Sequence, residues 1–405
     1  MRKTLVVALL AALVLPGCST VRDWFRSSNE KASAPVDLQD IAGALPVDEL
    51  WSESLGEAEG ALTLRQRPAL DGGLVYAVTG DGALRAIDVE SGDTRWETGL
   101  SEVTNSRGWR LWDRKVVDGG LQSSVAVGEG LVVVAGRSGV VFALNAEDGA
   151  VRWKAKASAE VLAAPLVVRG LVVVRSQDGR TVAFDATTGG RKWSVDRSIP
   201  TLTSRGASTP ATAVGLVLVG NDDGTVAAMR AEDGAVVWEA VVSEPEGRSE
   251  LDRLVDVDGD LAVGADAVYA TSVRGVTAAI GLQGGQVGWT RDNGGATGLE
   301  LTAEGVLLAD KGGTLWSLDR NSGSALWRQD ALLRRQPTAP ALAGSLAVVG
   351  DVQGFLHWFD PRTGELKART RVQSARIAAA PLVSPTGIVI AVTDEGRISA
   401  YRVAE

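Results

Sequence analysis

The stretch GDGALRAIDVESGDTRW, residues 80–96, holds a tight turn at Asp81-Gly82, an alternating run from Ala83 to Asp88, a second turn at Ser91-Gly92, and Trp96. The same grammar returns as RSGVVFALNAEDGAVRW (137–153), QDGRTVAFDATTGGRKW (177–193), DDGTVAAMRAEDGAVVW (222–238), VRGVTAAIGLQGGQVGW (273–289) and KGGTLWSLDRNSGSALW (311–327). A seventh copy, VQGFLHWFDPRTGELKA (352–368), ends in Ala368, and an eighth, DEGRISAYRVAE, runs out at the C-terminus. In the seven longer copies the first glycine lies 14 residues and the second four residues before the final position. Constant internal spacing, with 38 to 57 residues between units, marks a repeat architecture.

Each unit reads as β-strands joined by turns. Asp-Gly and Ser-Gly supply the positive backbone dihedrals of tight hairpins, and period-two alternation marks the strands between them. A further short segment precedes each unit, often opened by proline, as in APLVVRGL from Ala164 and APALAGSL from Ala339; proline suits a strand start whose N–H is not needed. Four antiparallel strands per unit predict the blades of an all-β, eight-bladed propeller. A ring with an open edge would pair with other chains. The strand-like segment VDELWSESLG at 47–56, with Trp51, is therefore expected to supply the missing outer strand of the eighth blade. Trp51, Trp96, Trp153, Trp193, Trp238, Trp289 and Trp327 are expected to fill the wedges between blades, each indole N–H meeting a partner.

The N-terminus reads differently. Residues 1–17, MRKTLVVALLAALVLPG, form a basic start and an apolar stretch too short to span a bilayer. Leu15-Pro16-Gly17-Cys18 looks like a bacterial lipobox, which makes Cys18, the chain's one cysteine, the lipidated first residue of the mature protein. Residues 18–45 are polar and lack the repeat, and read as a flexible tether; 46–405 form the propeller. The net charge of −9 becomes more negative when Arg2 and Lys3 leave with the leader. An acidic body argues against nucleic acid and against anionic lipid surfaces as partners.

The chemistry-bearing residues are sparse. His357 is the one histidine and lies in a strand, so no transition-metal site of nitrogen and sulfur ligands is expected. There is no Ser/His/Asp set and no phosphate-binding fingerprint, and the aspartates of NAEDG and NDDG read as turn formers. The sequence therefore points to a non-enzyme without cofactor, whose function sits on loops. The spacing from one unit to the next widens to 28 residues after Trp96, 17 after Trp193 and 21 after Trp238. Loops lengthened on one face of a rigid scaffold are the usual place for binding. The first carries SRGWRLWDRK, with Arg107, Trp109, Arg110, Trp112 and Arg114; the second carries Leu202, Ser204 and Arg205; the third carries Leu251, Arg253, Leu254, Asp256 and Asp258. Arginine among aromatic and leucine anchors is the chemistry of interface hot spots. The alternative is that Arg205 and the aspartates only brace the loops.

LTSRGASTPAT at 202–212 and LDRLVDVD at 251–258, with the lipobox and the eight units, make the chain resemble the BamB (YfgL) family, propeller lipoproteins of the β-barrel assembly (BAM) machinery. The resemblance spans essentially the whole chain. It implies an outer-membrane lipoprotein on the periplasmic side, consistent with Ser19 after the cysteine, that scaffolds the BAM complex by binding the POTRA domains of BamA and aids insertion of barrel proteins, with unfolded outer-membrane chains as further partners. It maps family contact residues onto Leu202, Arg205, Asp256 and Asp258, and places Ser204 where the family can have leucine. Two other readings share the repeat. A pyrroloquinoline-quinone dehydrogenase would add calcium and, in many members, a vicinal cysteine pair that a chain with one cysteine cannot form. A cell-wall-binding propeller would act independently of BamA.

Overall fold

A computed structural model describes residues 34–56, 67–100, 124–204, 206 and 208–404. These form eight four-stranded antiparallel sheets. Blade one is typical: a short inner strand, Ala69–Asp71, is followed outward by Leu74–Val78, Ala83–Asp88 and Thr94–Gly99. The eighth sheet breaks chain order as expected. Its inner three strands, Leu382–Val383, Val389–Val392 and Arg397–Val403, end the chain, and Val47–Ser54 pairs antiparallel to the last of them as its outer strand. First and last strands thus share one sheet, and the ring closes by backbone hydrogen bonds.

The two glycines of each unit lie on opposite faces of the ring and do different work. The first sits in the turn between second and third strands, under the connection to the next blade: a Cβ on Gly139 would come within 2.6 Å of the Ala159 carbonyl oxygen. The second seats the tryptophan of the preceding blade. Gly189 has φ +71°, and a Cβ there would meet Trp153 at 2.8 Å. The indole N–H then reaches over the seat: Trp51 donates to the Val89 carbonyl at 2.7 Å, Trp153 to Ala186 at 2.8 Å, and Trp193, Trp238 and Trp327 likewise to Ala231, Leu282 and Pro361. Trp96 and Trp289 donate to Ala146 and Arg320. Each expected inter-blade tryptophan makes this bond.

Blade seven shows why its tryptophan is displaced. In the other blades the outer-strand tryptophan faces a small residue of the third strand, as in Ala86–Trp96, Ala183–Trp193 and Ala400–Trp51. Blade seven reverses the pair: Trp358 of the third strand faces Ala368 of the outer one. Blade eight has no turn from third to outer strand, because its outer strand comes from the other end of the chain, so it offers no glycine seat. The large ring moves one strand inward, where Trp358 and Tyr401 are fully buried against each other's cluster.

The chain docks earlier than expected. Residues 34–45, read from the sequence as tether, lie against blades six and seven. Val36 N–H donates to the Leu333 carbonyl, Arg335 Nη1 donates to the Val36 carbonyl at 2.9 Å, and Leu45 N–H donates to Lys367 at 2.8 Å. Arg335 also donates to Asp351 at 2.7 Å, as does His357 Nε2 at 2.9 Å. His357 is fully buried, and burial pulls its pKa below the ordinary value, so it serves as a neutral donor.

The glycine seat is testable by two alanines. Gly189→Ala and Gly170→Ala both force a left-handed alanine, at φ +71° and +72°, but an added Cβ at 170 meets nothing within 4 Å. Gly189→Ala is expected to cost at least about 1 kcal/mol more in urea unfolding, the overpacking against Trp153 being the difference. Equal losses would show that the ring does not need the seat.

Candidate functional site

The connections from blade three to four and from blade four to five emerge side by side on the face that carries the first glycines. Each is held from below. Arg197 donates to Asp223 at 2.7 Å and to Glu239 at 2.6 Å, clamping the first connection onto blade four; the paired acids hold its guanidinium strongly in the charged form. Arg274, in a turn of blade five, donates to the Glu246 and Asp252 carbonyls at 2.9 and 3.1 Å and supports the second. Asp252 closes a turn by accepting from Ser249 Oγ at 2.7 Å, and this turn lifts Leu251 into solvent, 70% exposed. Leu202 and Ile199 are exposed at 42% and 43% on the first connection.

The two connections are tied together through Ser204. Its N–H donates to Asp256 Oδ2 at 2.6 Å, its hydroxyl donates to Asp258 Oδ2, and the Thr209 N–H donates to Asp260 at 3.0 Å. In the structure the two aspartates serve the link between the connections. Asp256 is 1% exposed and faces inward, Asp258 is half-buried, and neither is offered to a partner as a free surface charge. Ser204, Asp256 and Asp258 come together as a brace, while Leu202 and Arg253 are exposed and Leu254 is half-buried. Arg205, Trp109, Arg110, Trp112 and Cys18 lie outside the described residues.

A buried ionic layer underlies the brace. Arg175 of blade three donates to Asp222 of blade four at 2.6 Å, with side chains 3% and 7% exposed. Oxygens of Asp222, Asp256 and Asp258 lie within 4.8 Å of one another. Each of these carboxylates accepts from a protein group through one oxygen, while Oδ1 of Asp256 and of Asp258 has no hydrogen-bond partner among the described residues. Burial raises the pKa of Asp256, and burial with the neighbouring Asp256 and Asp222 raises that of Asp258 to about 6, against the opposing pull of Ser204 and Arg175.

Sequence reasoning missed Asp260, Arg67, Arg197, Arg274 and Ile199. Arg67, just before the inner strand of blade one, donates to Asp260, just before that of blade five, at 3.1 Å. Blades one and five stand opposite each other in a ring of eight, so this ion pair crosses the mouth of the central channel. The signal available in the sequence is the second acid of DGD at 258–260, next to the acids already singled out.

The raised pKa of Asp258 carries a stability consequence. The folded chain holds a proton on Asp258 up to about pH 6, whereas an ordinary aspartate releases it near 3.8. The native state therefore binds more protons between these limits, and the stability Asp258 contributes falls as pH rises through the window. Asp258→Asn keeps an acceptor for Ser204 and removes the charge. Its thermal midpoint is expected above the parent's at pH 7.5, the gap closing by pH 4. A gap that does not change with pH would contradict burial of the carboxylate as its cause.

Comparison with known proteins matches residues 47–106, 98–329 and 300–405 to the family model described as outer membrane protein assembly factor BamB. The outer membrane protein assembly factor BamB of Xanthomonas campestris is 42% identical over 408 residues, covering 100% of this chain and 98% of its own. Among solved structures, BamB from Moraxella catarrhalis superposes with a TM-score of 0.75 at 22% identity, covering 88% of this chain and 100% of its own. The quinohemoprotein alcohol dehydrogenase of Comamonas testosteroni superposes with a TM-score of 0.68 at 15% identity, covering 89% and 78%, a likeness of fold alone.

Proposed function

From the chain's membership of the BamB family, we propose that it is a non-catalytic scaffold of the BAM complex, assisting assembly of outer-membrane barrel proteins by binding the POTRA domains of BamA. The observation that carries the reading is the pair of exposed leucines, Leu202 and Leu251, one on each of two connections locked together through Ser204. Apolar anchors on a preorganised platform give binding without the entropic cost of ordering loops. In this reading Leu202, Leu251 and Leu254 bury against the partner, Arg205 and Arg253 supply charged hydrogen bonds at the edge, and Asp256 and Asp258 position Ser204 and its neighbours. Trp109, Arg110 and Trp112, from the long connection after Trp96, are further contacts in the same reading. The Arg67–Asp260 pair across the channel mouth supports a structural use of the axis, where a quinone-type dehydrogenase would need room for its cofactor.

Leu202→Ala, Leu251→Ala and Arg205→Ala are expected to weaken binding to a POTRA-domain fragment about tenfold or more each with unchanged melting midpoints, measured by titration calorimetry. Asp148→Ala, in an exposed turn of the opposite face, binds like the parent. If all three variants bind normally, the partner surface lies elsewhere on the ring.

The anchor completes the proposal. Acylated Cys18 places the ring at the periplasmic face of the outer membrane, several acyl chains holding far better than one. Cys18→Ser is expected to leave a folded propeller in the soluble or uncleaved fraction. Palmitate label and outer-membrane fractionation retained by this variant would refute the lipobox.

A further inference from the structure

Seven of the ten large apolar side chains that stand exposed among the described residues fall between 199 and 251, so this apolar surface is concentrated on blade four and the connections that flank it rather than scattered. Three of the seven, Val236, Val237 and Val241, lie on one strand, the outer strand Val236–Val241 of blade four. This strand pairs only with its inner neighbour, so one of its edges carries free backbone donors and acceptors. Natural edge strands are usually guarded by charge, especially lysine. The outer strands of blades one, two, three, five, six and seven each carry lysine or arginine, and that of blade eight carries Asp48, Glu49 and Glu53. Blade four's has neither guard: its sequence is VVWEAV, and its single charge, Glu239, is already neutralised by Arg197 at 2.6 Å.

We propose that this edge is a strand-addition site for the clients implied by the assembly function proposed above, taking an extended segment of an unfolded outer-membrane barrel chain as a fifth strand of blade four. An open edge is matched only by an extended backbone, which supplies the affinity, while side chains at alternate positions supply selection. Val237 and Val241 project to the same side of the strand and are 49% and 48% exposed, whereas Trp238 and Ala240 project to the other and are buried. The matching occupant is apolar on one face and polar on the other, with period two. Strands of outer-membrane barrels have that alternation over about ten residues. A second copy of the chain fits less well, because it would bring together two bodies that each carry a net charge of −9. The strand leads directly into the connection bearing Leu251, so a client held on the rim would lie beside the loop platform.

The test uses the full-length chain in detergent with two probes: a ten-residue peptide alternating Val or Tyr with Ser or Gln, and a peptide of equal composition with its apolar residues gathered in one half. The parent is expected to bind the alternating peptide at least tenfold more tightly than the gathered one. The double variant Val237→Lys, Val241→Lys should lose at least tenfold of that affinity, keep its melting midpoint, and bind the POTRA-domain fragment as the parent does. Leu202→Ala should show the converse, keeping the peptide and losing the fragment. The proposal is overturned if the double variant binds the alternating peptide like the parent, if both peptides bind alike, or if Leu202→Ala loses the peptide too. It is also overturned if the parent, but not the double variant, sediments as a dimer without binding peptide. Because peptide and fragment are read separately, failure of the rim site leaves the loop-face reading standing, and failure of the fragment to bind leaves the rim result to be judged alone.

Discussion

Everything in this ring depends on one contact, an indole plane lying on a glycine of the next blade with its N–H bonded to a carbonyl beside that glycine. The glycine serves twice, because the left-handed turn and the absence of a Cβ are required at the same position. A side chain there would strain the turn and lift the ring from its seat together. The contact is directional from one blade to the next, so the blade that follows must possess a complete turn between its third and outer strands. Seven interfaces meet the condition. The interface into the last blade cannot, since its outer strand is imported from the N-terminus, and there the chain exchanges Trp358 for Ala368 across a strand pair. One consequence is an orphaned indole N–H on Trp358, the cost of filling the wedge without a seat.

The same division of labour explains why function gathers on one face. The turns carrying the tryptophan seats cannot lengthen without disturbing an interface, whereas the opposite face holds the blade-to-blade connections, which only need to cross the first glycine of each unit. The two connections around blade four use that freedom, and are then fixed by bonds from Arg197, Arg274 and Ser204. Burying Arg175, Asp222 and Asp256 below them is expensive unless every group is matched. The unmatched Oδ1 atoms of Asp256 and Asp258 and the raised pKa of Asp258 show where matching is incomplete. Rigidity of the platform is thus obtained at some loss of stability.

The architecture was legible in the sequence because its determinants are local and periodic: turn glycines, alternating strands and the tryptophan four residues after a glycine. Closure was legible too, since the eighth unit lacked a strand and residues 47–56 offered one. The site was legible only as loops. A carboxylate in LDRLVDVD looks the same whether it faces solvent or the interior, so the sequence does not show that Asp256 is buried and accepts from Ser204. Arg67 and Asp260 are separated by 193 positions and by the width of the channel, and no periodicity links them. Residues 34–45 read as tether because polar segments that bind through backbone carbonyls, as Val36 does to Arg335, carry no apolar pattern.

The closure strand also settles where the chain end and the apolar surface lie relative to each other. Residues 34–45 meet the ring at the connection between blades six and seven and follow the rim of blade seven toward the strand that completes blade eight. In a ring of eight, blades seven and eight stand opposite blades three and four. Residues 34–45 therefore approach the ring from the side away from Leu202, Leu251 and the outer strand of blade four. A partner on the loop platform and an extended chain on the neighbouring rim can be held together without displacing the segment that closes the ring, and closure is the one interaction the scaffold cannot lend to a ligand.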